Sequence, residues 1–87
     1  MASVTIPSNL RSFCEGAAHV EVPAASIEEL LRNIDARCPG FYARVVEGGI
    51  LRPELAFAVG GEVIRLALHD RLEPDADITI VPALGGG

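Results

Sequence analysis

Lysine is missing from this sequence, and all seven of its basic residues are arginine. Twelve acidic residues give the 87-residue chain a formal net charge of −5 at pH 7. Nucleic-acid binding generally needs a basic face that displaces counterions from phosphates, and this composition does not supply one. We therefore expect no nucleic-acid partner, and an acidic surface that suits protein partners with a basic face.

Long apolar runs are also missing. No stretch approaches the roughly 20 residues of a membrane-spanning helix, so we expect no membrane partner. The opening residues MASVTIPSNL have no basic segment ahead of an apolar one and do not resemble a secretory signal peptide. These observations predict a cytoplasmic protein.

Cysteine is scarce, with Cys14 and Cys38 far apart along the chain. Because cytosolic thiols usually stay reduced, we expect both to be small buried or half-buried apolar residues without a disulfide. The two histidines, His19 and His69, form no C-x-x-C or H-x-x-x-H pair with them or with each other, so we predict no metal site. The same spacing supports no catalytic cysteine–histidine pair.

Aromatic residues make up only 5% of the chain, whereas 49% of the residues are hydrophobic. A mostly aliphatic core is therefore expected, in one small domain. The clearest local pattern begins at Ser26, a favourable N-cap, with Glu29 three residues later completing a capping box. One apolar stripe of an amphipathic helix follows, and Pro39-Gly40 ends it. The stripe comprises Ile27, Leu30, Leu31, Ile34 and Cys38.

Strand patterns flank this helix. Alternating or apolar segments at 3–6, 19–22, 55–59, 62–65 and 78–81 predict five strands, with a tight Gly60-Gly61 hairpin between the third and fourth. Segment 10–18 is interpreted as a loop or wide turn, 41–46 as compatible with a further helical turn, and Gly48-Gly49 as a loop.

The last strand carries a specific prediction about its two faces. Ile78 and Ile80 should point into the core, and Thr79 and Val81 away from it. Phe57, in the predicted strand 55–59, is also expected to pack in the core.

The order strand, strand, helix, strand, strand, strand predicts an α+β fold. Because neither the helix nor the sheet can bury its apolar face alone, the helix should cover one face of a mixed sheet of about five strands. The first and last strands are rich in β-branched residues and should pair in parallel at the centre. This is a β-grasp, ubiquitin-like roll over residues 1–84, followed by a flexible glycine tail at 85–87.

The C-terminal segment DADITIVPALGGG resembles a known family ending. Its pattern is similar to the Asp-Gly-Asp-x-Val-x-x-x-Pro-x-x-x-Gly-Gly terminus of the MoaD/ThiS-like ubiquitin-like sulfur carriers. Pro82 stands at the family proline, and Gly86 and Gly87 stand at the terminal pair. Ala76 replaces the usual glycine, and Gly85 occupies a position where alanine is common.

The resemblance extends along nearly the whole chain. IPSNLR resembles the opening strand and loop of the family, and LRPELAFAVGGEVIR resembles its central hairpin, where Val-Asn-Gly-Glu is more usual. The segment VVEGGILRPELAF is more similar to the molybdopterin and cysteine-synthesis carriers than to the shorter thiamin carrier.

The resemblance implies chemistry at the C-terminus. A partner activating enzyme would use ATP to adenylate the Gly87 carboxylate, and a sulfur donor would convert it to a thiocarboxylate for a sulfur-accepting synthase. Gly85 and Gly86 would thread a narrow channel, since they lack Cβ atoms. Val81, Pro82 and Leu84 would form the apolar approach on which a partner docks.

The chain itself has no phosphate-binding loop of the G-x-x-x-x-G-K-[ST] type, and the resemblance makes it a carrier substrate rather than an enzyme, with no cofactor of its own. Two alternatives remain open: a ubiquitin-like modifier conjugated through Gly87, and a β-grasp interaction subunit whose tail is never activated. The absence of lysine excludes chains built on the protein's own ε-amino groups and favours the carrier. Molybdopterin, cysteine and other sulfur-containing metabolites are all open as products.

Overall fold

The computed structural model describes residues 1–52, 55–64 and 66–82. Five strands form one sheet in the order β2-β1-β7-β5-β6, and β3 and β4 form a separate hairpin. The strands are β1 Ala2–Thr5, β2 His19–Val22, β3 Val46–Glu47, β4 Ile50–Leu51, β5 Leu55–Val59, β6 Glu62–Ile64 and β7 Asp77–Pro82. The helices are a 3₁₀ helix Ser8–Cys14, α1 Ile27–Arg37 and α2 Phe41–Val45. The predicted β-grasp fold is confirmed.

The centre of the sheet is a parallel pair made of the first and last strands. Val4 of β1 lies beside Ile78 of β7, and β5 pairs antiparallel with the other side of β7. Residues 6–76 therefore connect two neighbouring parallel strands, and α1 lies within that connection, as the sequence predicted. No helix within the described ranges is long and apolar enough to cross a membrane.

Helix α1 begins and ends where the sequence predicted. The Ser26 hydroxyl accepts a hydrogen bond from the Glu29 backbone N–H at 3.2 Å. The Glu29 carboxylate accepts from the backbone N–H of Ala25, the residue before the cap, at 2.7 Å. The four apolar residues of the stripe within α1 are fully buried. This buried face packs on the sheet and forms the core with residues such as Val4 and Ile78.

The connection between β1 and β2 differs from the expected loop. Residues 8–14 form two turns of 3₁₀ helix, with Leu10 and Cys14 buried on its inner side. The Arg11 guanidinium donates to the Ile6 carbonyl at 2.9 Å, which fixes the helix against the end of β1. Sequence reasoning placed only Gly16 correctly, in the turn that follows.

The expectation of two reduced cysteines is wrong for this structure. Cys14 and Cys38 are joined by a disulfide, with their Cα atoms 4.6 Å apart, within the range that the bond allows. Both residues are buried, which confirms that part of the prediction. Folding brings the end of the 3₁₀ helix against the C-cap of α1, and no local pattern reports that contact.

Two hairpins complete the fold. Gly60 and Gly61 have φ angles of 61° and 89°, the left-handed pair that a type I′ turn between β5 and β6 requires. The predicted helical turn is α2, and the expected Gly48-Gly49 loop joins β3 to β4 in a short hairpin that the sequence did not predict.

Candidate functional site

The last strand, β7, runs through the middle of the sheet and ends at Pro82. It lies between β1, whose residues Ser3 to Thr5 pair in parallel with its first three residues, and β5, whose residues Leu55 to Val59 pair with it in the antiparallel sense. β7 is therefore paired on both sides at Ile78 and Thr79, whereas the residues from Ile80 to Pro82 pair with β5 alone. The base of the C-terminal segment is thus held in the sheet by its pairing with the start of β5.

The two faces of β7 are as predicted. Ile78 and Ile80 are 0% and 1% exposed and belong to the core, whereas Thr79 and Val81 are half-buried on the opposite face. Phe57 of β5 is also buried in the core, as expected. The outward face at the end of β7 is thus left to small or apolar side chains that could contact a partner.

The predicted docking residues are placed only in part. Val81 lies opposite Ala56, and the backbone of Pro82 lies opposite Leu55. Leu84 and the tail residues Gly85, Gly86 and Gly87 lie outside the described residues. Their predicted roles in docking, threading and activation remain predictions.

A polar cleft, here called the exit cleft, lies beside the end of β7. Because β1 and β7 are parallel, both end at the same edge of the sheet, where the 3₁₀ helix follows β1. The cleft has a volume of about 310 Å³ and lies between that helix, α2 and the start of β5. Its lining residues are Asn9, Leu10, Ser12, Phe13, Arg44, Arg52 and Leu55.

Two arginines give the exit cleft its charge. The Arg44 guanidinium carbon lies 5.4 Å from the centre of the Phe13 ring, a cation–π contact. Arg52 Nη1 lies 3.7 Å from a Glu47 carboxylate oxygen. The Arg52 backbone N–H also donates to the Val45 carbonyl at 2.9 Å, which holds the two arginine-bearing segments together. Sequence reasoning missed this pair, because no sequence pattern relates positions 44 and 52.

The packing beneath Arg44 involves a glycine. Gly40 has a φ of 95°, and a Cβ atom built there would lie 3.1 Å from the Phe13 ring. Asp35 Oδ1 accepts from the backbone N–H groups of Gly40 and Tyr42 at 3.2 and 2.9 Å. The start of α2 is thus fixed between α1 and Phe13, and the arginine of α2 is positioned with it.

A larger depression, the hairpin groove, lies between the two hairpins and the loop at 66–70. Its volume is about 940 Å³, and its lining includes Leu55, Phe57 and Leu68. Ile50 and Ile64, which also line it, are 64% and 40% exposed. Because Leu55 lines both depressions, the exit cleft and the hairpin groove adjoin each other near the end of β7.

A separate polar cluster joins α1 to α2. The Arg32 guanidinium donates to the Glu28 carboxylate and lies over the Tyr42 ring, 4.6 Å from its centre. The Tyr42 hydroxyl donates to the same carboxylate at 3.2 Å. Burial, and then the hydrogen bond to Glu28, raise the pKa of Tyr42 above the usual tyrosine value. The phenol therefore stays neutral at physiological pH, and the cluster is structural.

Solved structures similar to this fold cover nearly all of the chain. A chain of the Amycolatopsis orientalis BexX/CysO complex is 29% identical, with a TM-score of 0.90 and coverage of 100% of both chains. Mycobacterium tuberculosis CysO is 22% identical, with a TM-score of 0.88 over 97% of this chain and 100% of that one. Small archaeal modifier protein 1 from Methanosarcina acetivorans is 23% identical, with a TM-score of 0.79 over 99% and 95%.

Comparison with curated protein sequences gave no match. The profile of the ThiS family, in contrast, matches residues 4–87, which include the second half of β1, all of β7 and the glycine terminus. This match spans nearly the whole chain and agrees with the β-grasp fold of the similar structures. The chain therefore belongs to the ThiS family of ubiquitin-like sulfur carriers.

Proposed function

We propose that this protein carries sulfur as a thiocarboxylate on its C-terminal residue, Gly87. The observation that supports this most directly is the position of the glycine terminus. It follows the central strand β7 of a β-grasp fold, in a chain whose family match extends to residue 87. The end of β7 would present this terminus to another protein, and the chain itself would act as substrate rather than enzyme.

The chemistry needs activation, because a carboxylate is a poor electrophile. In the proposed reaction, a Gly87 carboxylate oxygen attacks the α-phosphate of ATP in a partner enzyme and pyrophosphate leaves. Hydrosulfide then attacks the acyl carbon, AMP leaves with that oxygen, and loss of the thiol proton gives the thiocarboxylate. With a persulfide donor, a thiol must afterwards cleave the acyl disulfide. Both steps require a site that excludes water, since acyl-adenylates hydrolyse.

The glycines suit entry into such a site. Without Cβ atoms, the backbone at Gly85 and Gly86 can pass through a narrow channel and adopt conformations closed to other residues. Main-chain hydrogen bonds from the partner would offset the entropy lost on ordering. Val81, Pro82 and Leu84 would supply the apolar approach, and the half-buried Val81 on the outward face supports that part of the proposal.

The partners implied are an adenylating enzyme, a sulfur donor and a sulfur-accepting synthase. The similar Amycolatopsis chain was solved in a complex of BexX with CysO, which supports action through a protein partner. The acceptor could belong to molybdopterin, cysteine or other sulfur metabolism, and the central segment favours the first two.

Intact-protein mass spectrometry tests the proposal. The protein is incubated with an activating enzyme from its own genome, ATP and sulfide, and we expect replacement of one oxygen by sulfur. Deleting Gly87 should abolish the exchange without changing the circular dichroism spectrum. If the partner is shown to adenylate the protein and yet only unmodified protein is found, sulfur transfer is refuted. Isopeptide adducts to other proteins would favour the modifier alternative.

A matched pair of variants tests docking. Val81 and Val63 both lie on the outward face of the sheet, but Val63 is on the edge strand β6, away from the end of β7. Val81→Arg should raise the apparent KM for adenylation at least tenfold, whereas Val63→Arg should leave it nearly unchanged. Equal effects of the two substitutions would contradict docking at the end of β7.

A further inference from the structure

The exit cleft lies within reach of the protein's own C-terminus. Leu55 lines the cleft and lies opposite Pro82 in the β5–β7 ladder, so that Pro82 is one strand spacing from the cleft wall. Five residues follow Pro82, and an extended chain of that length spans about 17 Å. The Leu55 backbone N–H donates to the Arg52 carbonyl at 3.1 Å. This hydrogen bond places Arg52, one of the two arginines of the cleft, close to the same wall.

The exit cleft combines two arginines in an otherwise acidic molecule, and a Glu47 carboxylate oxygen lies 3.7 Å from one of them, Arg52. The chain carries a formal charge of −5, yet two of its seven arginines line this one cleft, Arg44 and Arg52. Across residues 1–52, 55–64 and 66–82, Arg44 has no carboxylate within ion-pair distance, and its recorded contact is the Phe13 ring. Asn9 and Ser12 add neutral hydrogen-bonding groups to the same lining.

The ligand chemistry follows from these groups. A planar guanidinium matches the two oxygens of a carboxylate in a bidentate arrangement. Stacking on Phe13 limits the conformations of Arg44, and the close packing of Phe13 on Gly40 fixes the ring. The carboxylate at the end of the five residues that follow Pro82 is the occupant that fits both the charge and the reach.

We propose that the exit cleft binds the C-terminal carboxylate of the same chain, with Arg44 as its main cationic group and Arg52, which also contacts Glu47, adding positive charge nearby. The free protein thus exchanges between a form in which Gly87 is held in the cleft and one in which it extends into solvent. Binding of the carboxylate does not depend on the proposed function, but its effect on a partner enzyme does. A thiocarboxylate is also a monoanion and would be held in the same way, so a partner enzyme must displace the terminus from the cleft before it can use it.

The interaction is expected to be reversible. Arg44 is exposed, so that water and salt weaken its attraction to an anion, and closing the loop costs chain entropy. Held and extended forms should therefore have comparable populations. Equal populations lower the pKa of a carboxyl group by about 0.3, because only the ionised form is bound.

Carbon-13 NMR of the Gly87 carboxyl group measures this directly on the isolated protein. We expect its pKa to lie at least about 0.3 below that of a free peptide with the sequence PALGGG, and the difference to shrink at high salt. Arg44→Gln should return the pKa to the peptide value. Arg71→Gln is the matched control, because it removes the same charge from another exposed arginine. Arg71 lies beside Ser26, at the other end of α1 from the exit cleft.

A second measurement at neutral pH avoids acid unfolding. The side-chain Nε–Hε signal of Arg44 should shift when the C-terminus is converted to an amide by ligation, whereas the signal of Arg71 should not. A Gly87 pKa equal to that of the peptide, or equal effects of Arg44→Gln and Arg71→Gln, would overturn the proposal. Neither readout needs an activating enzyme, so failure of sulfur transfer with an intact pKa shift would refute only the proposed function.

Discussion

The disulfide between Cys14 and Cys38 should contribute a large share of the stability of this domain. The two residues are separated by 24 positions, so that the bond closes a loop of about 25 residues in the unfolded chain. The loop-entropy relation gives about 3.5 kcal/mol of stabilisation at 25 °C for that length. A domain of this size has a free energy of unfolding of roughly 4–13 kcal/mol, so the bond could supply a quarter or more of it.

Urea unfolding with and without a reductant measures this contribution on the same protein, without any substitution. Reduction should lower the free energy of unfolding by about 3.5 kcal/mol and the Tm by roughly 15–25 °C. The double variant Cys14→Ala/Cys38→Ala should be insensitive to the reductant. Its absolute stability is a poorer measure, because the substitutions also remove buried side chains.

Two results would refute the reasoning about the disulfide. Alkylation of the native protein followed by mass spectrometry should find no free thiol at Cys14 or Cys38, and two free thiols would show that the bond does not form. If the bond forms but the reductant leaves the urea midpoint unchanged, the bond does not constrain the unfolded chain as the loop argument requires.

Two further predictions concern the contact between α1 and α2. Gly40→Ala should lower the free energy of unfolding by about 2–3 kcal/mol, because the left-handed φ and the Phe13 ring both oppose a Cβ atom, and Gly48→Ala, with a left-handed φ but open space, should cost only about 1 kcal/mol. Equal losses in thermal unfolding would contradict a role for the ring. Tyr42 is the single tyrosine, and its absorbance should titrate above the usual tyrosine pKa. The stability that its neutral form contributes should be complete below the usual pKa and lost as the pH rises through the folded-state pKa. Glu28→Gln should lower the titration midpoint, and an unchanged midpoint would exclude the hydrogen bond as a cause.

The elements that local patterns encode were predictable from the sequence. Helix α1 was predicted with its cap because Ser26, Glu29 and the apolar stripe lie within one short segment. Strand β7 and its two faces were predicted because alternation alone decides which side chains are buried. The parallel central pair followed from the element order, since a single helix connects strands whose β-branched residues require burial.

The features that depend on distant residues were not predictable. Cys14 and Cys38 carry no spacing that distinguishes a disulfide from two buried thiols, and the cytosolic expectation favoured thiols. The exit cleft brings together Ser12, Arg44 and Arg52 from three separate segments of the chain, and no local pattern marks any of the three residues. The hairpin of β3 and β4 was missed because two-residue strands are too short to show alternation.

The position of β7 has a mechanical consequence. A partner that draws in the C-terminus pulls along the axis of β7, whose neighbours β1 and β5 run beside it over Ser3–Thr5 and Leu55–Val59. Hydrogen bonds of the antiparallel β5 ladder lie across the direction of pulling, and those of the parallel β1 ladder are slanted to it, so several bonds share the load instead of opening one after another. We therefore expect β7 to stay in register if a partner pulls on the terminus.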